Sequence, residues 1–452
     1  MRVWIDRMRA DERARARLVV AALVLVFLAS AARNIKEEGD FVHYVEAGAR
    51  VLQGRDIYEG AGPDTVNTWP PIFAVVCVPF ALLARVNVYV ARGVWLAVNA
   101  VLVYAMLNMT VELVYRRPLT LSSRDGISVA SLAFLGPLVL TSRFLLGNFD
   151  RLQINLFILF CCLVGCRWLV RGRPALGGGI IGVAAAIKVL PVFFVPYCFF
   201  KRWWGALAGT IAGGLLATVA PIVVWGPAQW WRNVRFWIRL AAGSWPVRKG
   251  NQSLYAMVDR LYSHGALYWT PAAKRFKASN DPVVAAIVYG TLALVALLFA
   301  FVARRGGRTP RSPAVVVELA IVLAICVLFS PLAWKHYFVF LLLGYTALWR
   351  AAFVGDPPPP AGFAIGLAPH LQPIEDADVD VDAQAWRLTT VERRRIALML
   401  AISFALTTLS VRGVVGKRLS LHLETISVVT IGALVATAAL LYLRSRLGAR
   451  TE

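Results

Sequence analysis

The chain is predicted to be an all-α polytopic membrane protein of about twelve helical spans, and three observations carry that prediction. Its 452 residues are 59% hydrophobic and only 16% charged, with a mean hydropathy of +0.64; a soluble fold of this length needs far more polar surface. Apolar runs of roughly 17–25 residues recur along the whole length, enough for a helix to cross hydrocarbon. Between these runs stand short clusters of Lys and Arg, the mark of cytoplasmic loops. The formal charge of +23 therefore reads as topology-setting loops on anionic lipid. No basic soluble face with interleaved aromatics is present to track nucleic acid. The six cysteines lie inside apolar runs and read as small buried hydrophobes.

Taken in order, the N-terminus carries six arginines up to Arg17 and then an apolar run to about Ala32. Ser30-Ala31-Ala32 would suit a signal cleavage, but the rest of the chain is also membrane, which favours an uncleaved first span. Six basic clusters follow: Arg116/Arg117/Arg124, Arg167/Arg171/Arg173, Lys201/Arg202, Arg304/Arg305/Arg308/Arg311, Arg393/Arg394/Arg395 and Arg444/Arg446/Arg450. If all face the cytoplasm, an even number of crossings separates each from the next. Only one full crossing then fits between Ala32 and Arg116, near 90–114, so Trp69–Leu83 with its three prolines is re-entrant or interfacial. Between Arg173 and Lys201 two crossings must fit, so Gly177–Ile187 rises and Leu190–Phe200 falls as a short hairpin turning near Lys188–Pro191. The spans are expected near 18–32, 90–114, 127–145, 153–169, 176–188, 190–200, 205–225, 283–303, 313–330, 337–353, 396–411 and 425–443. Both termini are then cytoplasmic, in a plasma-membrane protein. Residues 1–350 form the main transmembrane region, with large outer loops at 33–89 and 226–282. A Pro-rich acidic inner loop follows at 354–395, and a C-terminal hairpin with a basic tail at 396–452. No internal repeat is visible, which counts against transporter folds built from duplicated halves.

The polar residues that could serve chemistry gather at outer helix ends. Asp40 opens an amphipathic helix running to about Gly54, whose apolar face holds Phe41, Tyr44, Val45, Gly48 and Leu52 and suits the membrane surface. Asp40 would serve either as an N-cap acceptor or as a general base on a sugar hydroxyl. Asn148, Asp150, Arg151, Gln153 and Asn155 crowd the turn between the third and fourth spans, costly unless they face a wet cavity, a ligand or one another. Lys188 tops the short rising helix, where an ammonium can meet an anionic headgroup. The loop 226–282 carries nine Lys/Arg against Asp259 and Asp281, with five tryptophans, a mixture suited to a phospholipid-like anion. Its most polar stretch is Pro246-Val247-Arg248-Lys249-Gly250-Asn251-Gln252-Ser253. A second cluster, Ser330-Pro331-Leu332-Ala333-Trp334-Lys335-His336-Tyr337, follows span nine. The run Asp376, Asp378, Asp380, Asp382 contains Asp-x-Asp, but in a Pro-rich loop with no nucleotide fold it reads as a solvated linker.

These motifs, in this order over residues 30–350, resemble the polyprenyl-phosphate-sugar-dependent transferases of glycosyltransferase family 87, in the GT-C membrane superfamily. The matching residues are Asp40 with Tyr44, Gly54-Arg55-Asp56-Ile57-Tyr58, Trp69-Pro70-Pro71, Gly147-Asn148 with Gln153 and Asn155, Ile187-Lys188 with Pro191, Asn251-Gln252-Ser253, and Ser330-Pro331 with Trp334, His336 and Tyr337. Gly147-Asn148-Phe149-Asp150 departs from the Gly-Gln-x-Asn-like run expected there. The resemblance implies a GT-C-like bundle with extracytoplasmic loops carrying amphipathic helices. It implies an inverting transferase moving mannose or an arabinose-like sugar from a polyprenyl-phosphate donor to a glycolipid or glycan acceptor. It suggests Asp40 as base, with Lys188 and His336 near the donor phosphate. Arg248, Lys249 and Lys335 would add to that positive field, and Tyr44, Trp69, Asn148, Gln153, Asn155, Asn251 and Gln252 would line the substrate site. No metal or other cofactor is then required. A secondary transporter or lipid flippase is the alternative. It would place ionisable groups near the bilayer midplane rather than at outer helix ends.

Overall fold

The computed structural model describes residues 11–60, 69–243, 247, 250–263, 279–304, 312–354 and 386–448. Arg248, Lys249 and the acidic loop around Asp376–Asp382 lie outside the described residues. The chain is a bundle of helices, with a two-residue parallel pairing of Leu119–Thr120 on Ile127–Ser128. Each of the twelve expected segments contains a helix. Among the described residues, six helices are long and apolar enough to cross a membrane, or seven if a pair bent by 90° counts as one. Others, such as Asn155–Val170, Pro174–Ile187 and Pro313–Leu328, are shorter apolar helices.

The short hairpin is fixed by glycine. The Pro174–Ile187 and Trp204–Val219 helices pack so closely that a Cβ on Gly178 would lie 2.0 Å from the Ala206 carbonyl oxygen, and one on Gly182 2.1 Å from that of Thr210. Reciprocally, Gly209 faces the Ala175 carbonyl and Gly213 that of Gly179. These partners ascend together, so the two helices run parallel, the close approach that small-xxx-small spacing allows in membranes. Parallel neighbours require the chain between them to return. It does so through a 3₁₀ turn at Leu190–Phe193 and the Phe194–Phe200 helix. Lys188 therefore stands at one end of the bundle, and Arg173 and Lys201 at the other.

The described members of the basic clusters gather at that second end, but several are not loop cations. Glu318 lies buried in the Pro313–Leu328 helix and holds Lys201 Nζ at 3.0 Å and Arg444 Nε at 2.7 Å, while the Tyr197 hydroxyl donates to it at 2.9 Å. Lys201 and Arg444 are buried with it, so these two members of the basic clusters are paired inside the bundle rather than left in loops. Glu112 likewise gathers Arg167 (2.9 Å) and Arg171.

Two features at the other end also differ from expectation. The apolar face of the Phe41–Leu52 helix packs on protein: Phe41 meets Phe80, Tyr44 meets Phe73, and the Cys77 carbonyl presses on Gly48. The Pro71–Val76 and Val78–Val86 helices that supply these partners thus lie against the amphipathic helix. The expected 205–225 span ends at Val219, and Ile222–Ala241 departs from it at 90°, with Gly226 at φ +70° just before Pro227.

Two outcomes follow from this packing. Gly182→Val places side-chain atoms where the Thr210 backbone already stands. Overpacking of this kind costs about 1–3 kcal/mol, and a backbone partner cannot turn aside, so the variant should unfold in detergent at a clearly lower temperature. Single cysteines at 172, 188 and 203, in a background without native cysteines, should show 172 and 203 on one membrane face and 188 on the other with an impermeant thiol reagent. Labelling of 172 and 188 from the same face would overturn the hairpin.

Candidate active site

At the end of the bundle opposite Glu318, the chain leaves the first described helix, Glu12–Asn34, and turns at Gly39 into the Phe41–Leu52 helix. Gly39 has φ +51° and its Cα lies against the Arg151 carbonyl, where a Cβ would come within 2.8 Å. That approach lets the Asp40 N–H donate to the Arg151 oxygen at 3.0 Å. Asp40 occupies the N-cap position of its helix, yet its side chain makes no capping hydrogen bond. It accepts instead from the Gln153 side-chain amide. The backbone job that would explain Asp40 structurally is therefore not what its carboxylate does.

Gln153 begins a chain of buried polar groups. Its Oε1 accepts from Asn155 Nδ2 at 3.3 Å, and the same nitrogen reaches Asn148 Oδ1 at 3.2 Å. Asn155 Oδ1 takes Lys188 Nζ at 2.6 Å, and that ammonium stands 3.8 Å from the centre of the Tyr337 ring. Asn148 donates to the carbonyls of Phe144 (2.8 Å) and His336 (2.9 Å), pinning the start of the 335–354 segment to the end of the Leu132–Asp150 helix. Gln153, Asn155, Asn148 and Lys188 are all buried, while Asp40 is half-buried and reachable. A lysine ammonium has three donors; one meets Asn155 and the aromatic face of Tyr337 neutralises part of its charge. A carboxylate and an ammonium are thus held on one wall by a two-amide relay.

Around this wall the aromatic residues close ranks. The Tyr44 hydroxyl accepts the Ile154 N–H at 3.1 Å. Burial first, and the Asp40 charge second, push its phenol well above the usual range, so it stays neutral. Trp69 lies edge-on to Tyr44 (5.6 Å) and stacks on Phe73 (4.4 Å). The His336 ring is half-buried beside Tyr337 at 5.1 Å, and its Nε2 atom is buried with no hydrogen-bond partner among the described residues. Asp40, Tyr44, Trp69, Asn148, Gln153, Asn155, Lys188 and His336 are thereby brought into one neighbourhood.

Three other expected site residues are tied into the scaffold. Lys335 pairs with Glu424 at 2.6 Å. Asn251 bridges to Trp334 backbone to backbone, donates to the Pro331 carbonyl at 3.0 Å and accepts the Ala333 N–H at 3.0 Å. Gln252 donates to the Glu424 carbonyl at 2.8 Å. Arg260, counted among the loop cations, is fully buried and donates to the carbonyls of Val247, Asn251 and Thr425. Asp150, from the same polar run as Asn148, is taken by Arg33 (2.8 Å) and Asn34 (3.1 Å). Sequence reasoning did not give Tyr337 a site role, although it stands beside His336 in the quoted motif. It also missed Glu424, for which the C-terminal sequence held no signal.

The sequence profile of glycosyltransferase family 87 matches residues 67–331. That stretch contains Asn148, Gln153, Asn155 and Lys188 and leaves Asp40 and His336 just outside. A polyprenol-phosphate-mannose-dependent alpha-(1-2)-phosphatidylinositol mannoside mannosyltransferase from Mycolicibacterium smegmatis is 26% identical over 316 residues, which are 66% of this chain and 67% of that one. The crystal structure of ArnT from Cupriavidus metallidurans bound to undecaprenyl phosphate aligns with 96% of this chain and 77% of its own, at 16% identity and a TM-score of 0.40. With the profile covering more than half of its length, this chain belongs to glycosyltransferase family 87.

Proposed function

We propose that the protein transfers mannose from a polyprenyl-phosphate carrier to a glycolipid hydroxyl on the extracytoplasmic face, with inversion at the anomeric carbon. The observation that carries this reading is the relay Asp40–Gln153–Asn155–Lys188 at the bundle end away from the basic clusters. The donor in the name of the Mycolicibacterium relative supports the same choice. The two ends of the relay answer the two demands of the reaction. The acceptor hydroxyl must lose a proton as it attacks, and Asp40, oriented by the Gln153 amide, is placed to take it. The carrier phosphate must leave with the electron pair of the broken C1–O bond. Lys188, held by Asn155 and desolvated against Tyr337, offers a fixed positive charge where that negative charge grows. The new glycosidic bond forms on the face opposite the departing phosphate. His336 Nε2, buried and unpartnered, adds a polar group beside Lys188 without requiring any rearrangement. Nucleotide-sugars are made in the cytoplasm, whereas a lipid-phosphate sugar can be presented within the outer leaflet.

Asp40→Asn keeps an acceptor oxygen for Gln153 but removes the base, so turnover should fall by about 10²–10⁴-fold with unchanged protein in the membrane. Near-native turnover would return Asp40 to a structural role. Purified protein given polyprenyl-phosphate mannose and a phosphatidylinositol mannoside acceptor should form product. GDP-mannose without lipid carrier should give none; transfer from it alone would falsify the donor assignment. Lys188→Ala should weaken use of the lipid-phosphate donor, and the smaller Asn155→Ala change should do so in the same direction, because it frees the ammonium without removing it.

A further inference from the structure

A second cationic site stands outside the relay. After the bend at Gly226 the Ile222–Ala241 helix buries Asn233 and Val234 and packs Trp237 against the core, while Arg232, Arg235 and Arg239 stay exposed. Their spacing of three and four residues puts all three guanidinium groups on one face of the helix. Opposite them runs Gly54-Arg55-Asp56, at the end of the Phe41–Leu52 helix. This turn is rigid. Gly54 has φ +64°, and Arg50 donates to the carbonyls of Asp56 (3.2 Å) and Glu59 (2.7 Å). The Tyr58 ring stacks on Phe236 at 5.1 Å. The two walls enclose a cleft of about 660 Å³ lined by Arg55, Asp56, Gln229, Arg232, Arg235 and Arg239, among others.

Four arginines line this cleft against one carboxylate, and among the described residues none of the four makes an ion pair. Arg232 is braced by Gln229 Oε1 (3.0 Å from Nε), and Gln229 donates in turn to the buried Asn233 at 3.0 Å. Like charges held side by side repel unless an anion joins them, and the planar guanidinium fork fits phosphate oxygens in pairs. Trp230 and Trp231 on the same helix suit the headgroup level of a bilayer. Asp56 disfavours a second negative charge and offers an acceptor to hydroxyls; its Oδ1 already takes the Tyr58 N–H at 2.9 Å. The cleft thus asks for one negative charge joined to a hydroxyl-rich group. It also borders the relay through aromatic residues: the Tyr58 hydroxyl donates to the Trp69 carbonyl at 2.8 Å, and Trp69 packs on Tyr44 beside Asp40.

We infer that this cleft binds the phosphodiester and polyol headgroup of the lipid acceptor, so that the donor phosphate and the acceptor phosphate occupy separate cationic sites. The assignment rests on the transferase reading, but its test does not.

The full-length purified protein should bind dihexanoyl phosphatidylinositol, followed by tryptophan fluorescence or calorimetry, at least about 10-fold more tightly than zwitterionic dihexanoyl phosphatidylcholine. The Arg232→Gln/Arg235→Gln/Arg239→Gln variant should lose that preference, as expected for removing charge-assisted hydrogen bonds. Arg55→Gln, on the other wall, should weaken it in the same sense, which covers the case in which the triple variant fails to fold. In transfer assays the triple variant should raise KM for phosphatidylinositol mannoside about 10-fold or more and leave the donor KM within about twofold. Unchanged phosphatidylinositol binding in a folded variant would overturn the inference. Inorganic phosphate that binds as tightly and displaces the lipid would also overturn it, in favour of a site for free anion. If the wild-type protein transfers no mannose at all, the transferase reading falls, and the binding experiment still decides what the cleft holds.

Discussion

Asn155 stands at the first turn of a short apolar helix, fully buried, with each of its side-chain atoms spoken for. Its oxygen takes the Lys188 ammonium, and its nitrogen is shared between the oxygens of Asn148 and Gln153. A buried amide left unmatched costs roughly 1–3 kcal/mol, so such a network holds together or fails as a unit. Three separate chain segments converge on this one side chain: the end of the Leu132–Asp150 helix, the turn at 153 and the break at 188. A fourth, carrying Asp40, joins through Gln153. The link between the carboxylate of Asp40 and the ammonium of Lys188 runs through this amide.

The rest of the bundle supplies what the amide cannot, a fixed position for the chain break at Lys188. The glycine contacts between Pro174–Ile187 and Trp204–Val219 hold those helices parallel and in register. Glu318 then fastens the returning strand of chain at Lys201 to the C-terminal helix at Arg444. Removing one partner from a buried ion cluster is costly, on the order of 3–5 kcal/mol, because it strands the others in low dielectric. The cluster therefore acts as an anchor whose effect is felt a helix length away. The C-terminal hairpin contributes at both ends: Arg444 closes the anchor, and Glu424 holds Lys335 next to His336.

Much of this was legible in the sequence, and the failures have a common cause. Apolar runs and basic clusters gave the order of helices. Parity of crossings forced the hairpin at Lys188, because a count of crossings is insensitive to where each helix starts. The polar run 148–155 announced itself by its cost in an apolar setting. What the sequence could not show is which part of the chain each polar side chain would meet. Asn251, Gln252, Arg260 and Lys335 carry the same loop signature as Asn148 and Gln153; the first four clamp the Ser330–Trp334 segment to the C-terminal hairpin, and the other two join the network around Asn155. The Phe41–Leu52 helix was misread for the same reason, since an apolar face is equally suited to lipid and to the Pro71–Val86 helices. The bend between Val219 and Ile222 and the kink at Gly226 left only Pro221 and a Gly-Pro pair as their traces, around what reads as the end of a span.

Under the proposed reading, the two cationic sites differ in a way that matches two different tasks. Lys188 is a single buried charge braced by an amide and an aromatic face, and a charge in low dielectric acts strongly on a nearby group. The four arginines of the outer cleft are exposed, so water and salt screen them, and each adds affinity rather than a strong local field. A leaving phosphate gains charge in the transition state and benefits from a field that needs no reorganisation, which Lys188 is built to supply. An acceptor headgroup keeps the same charge throughout the reaction. Strong stabilisation there would hold the ground state and the transition state alike and would not speed the chemistry. Exposed arginines on a surface helix and a buried lysine on a two-amide relay are therefore the arrangement expected of an enzyme that must bind one phosphate and expel another.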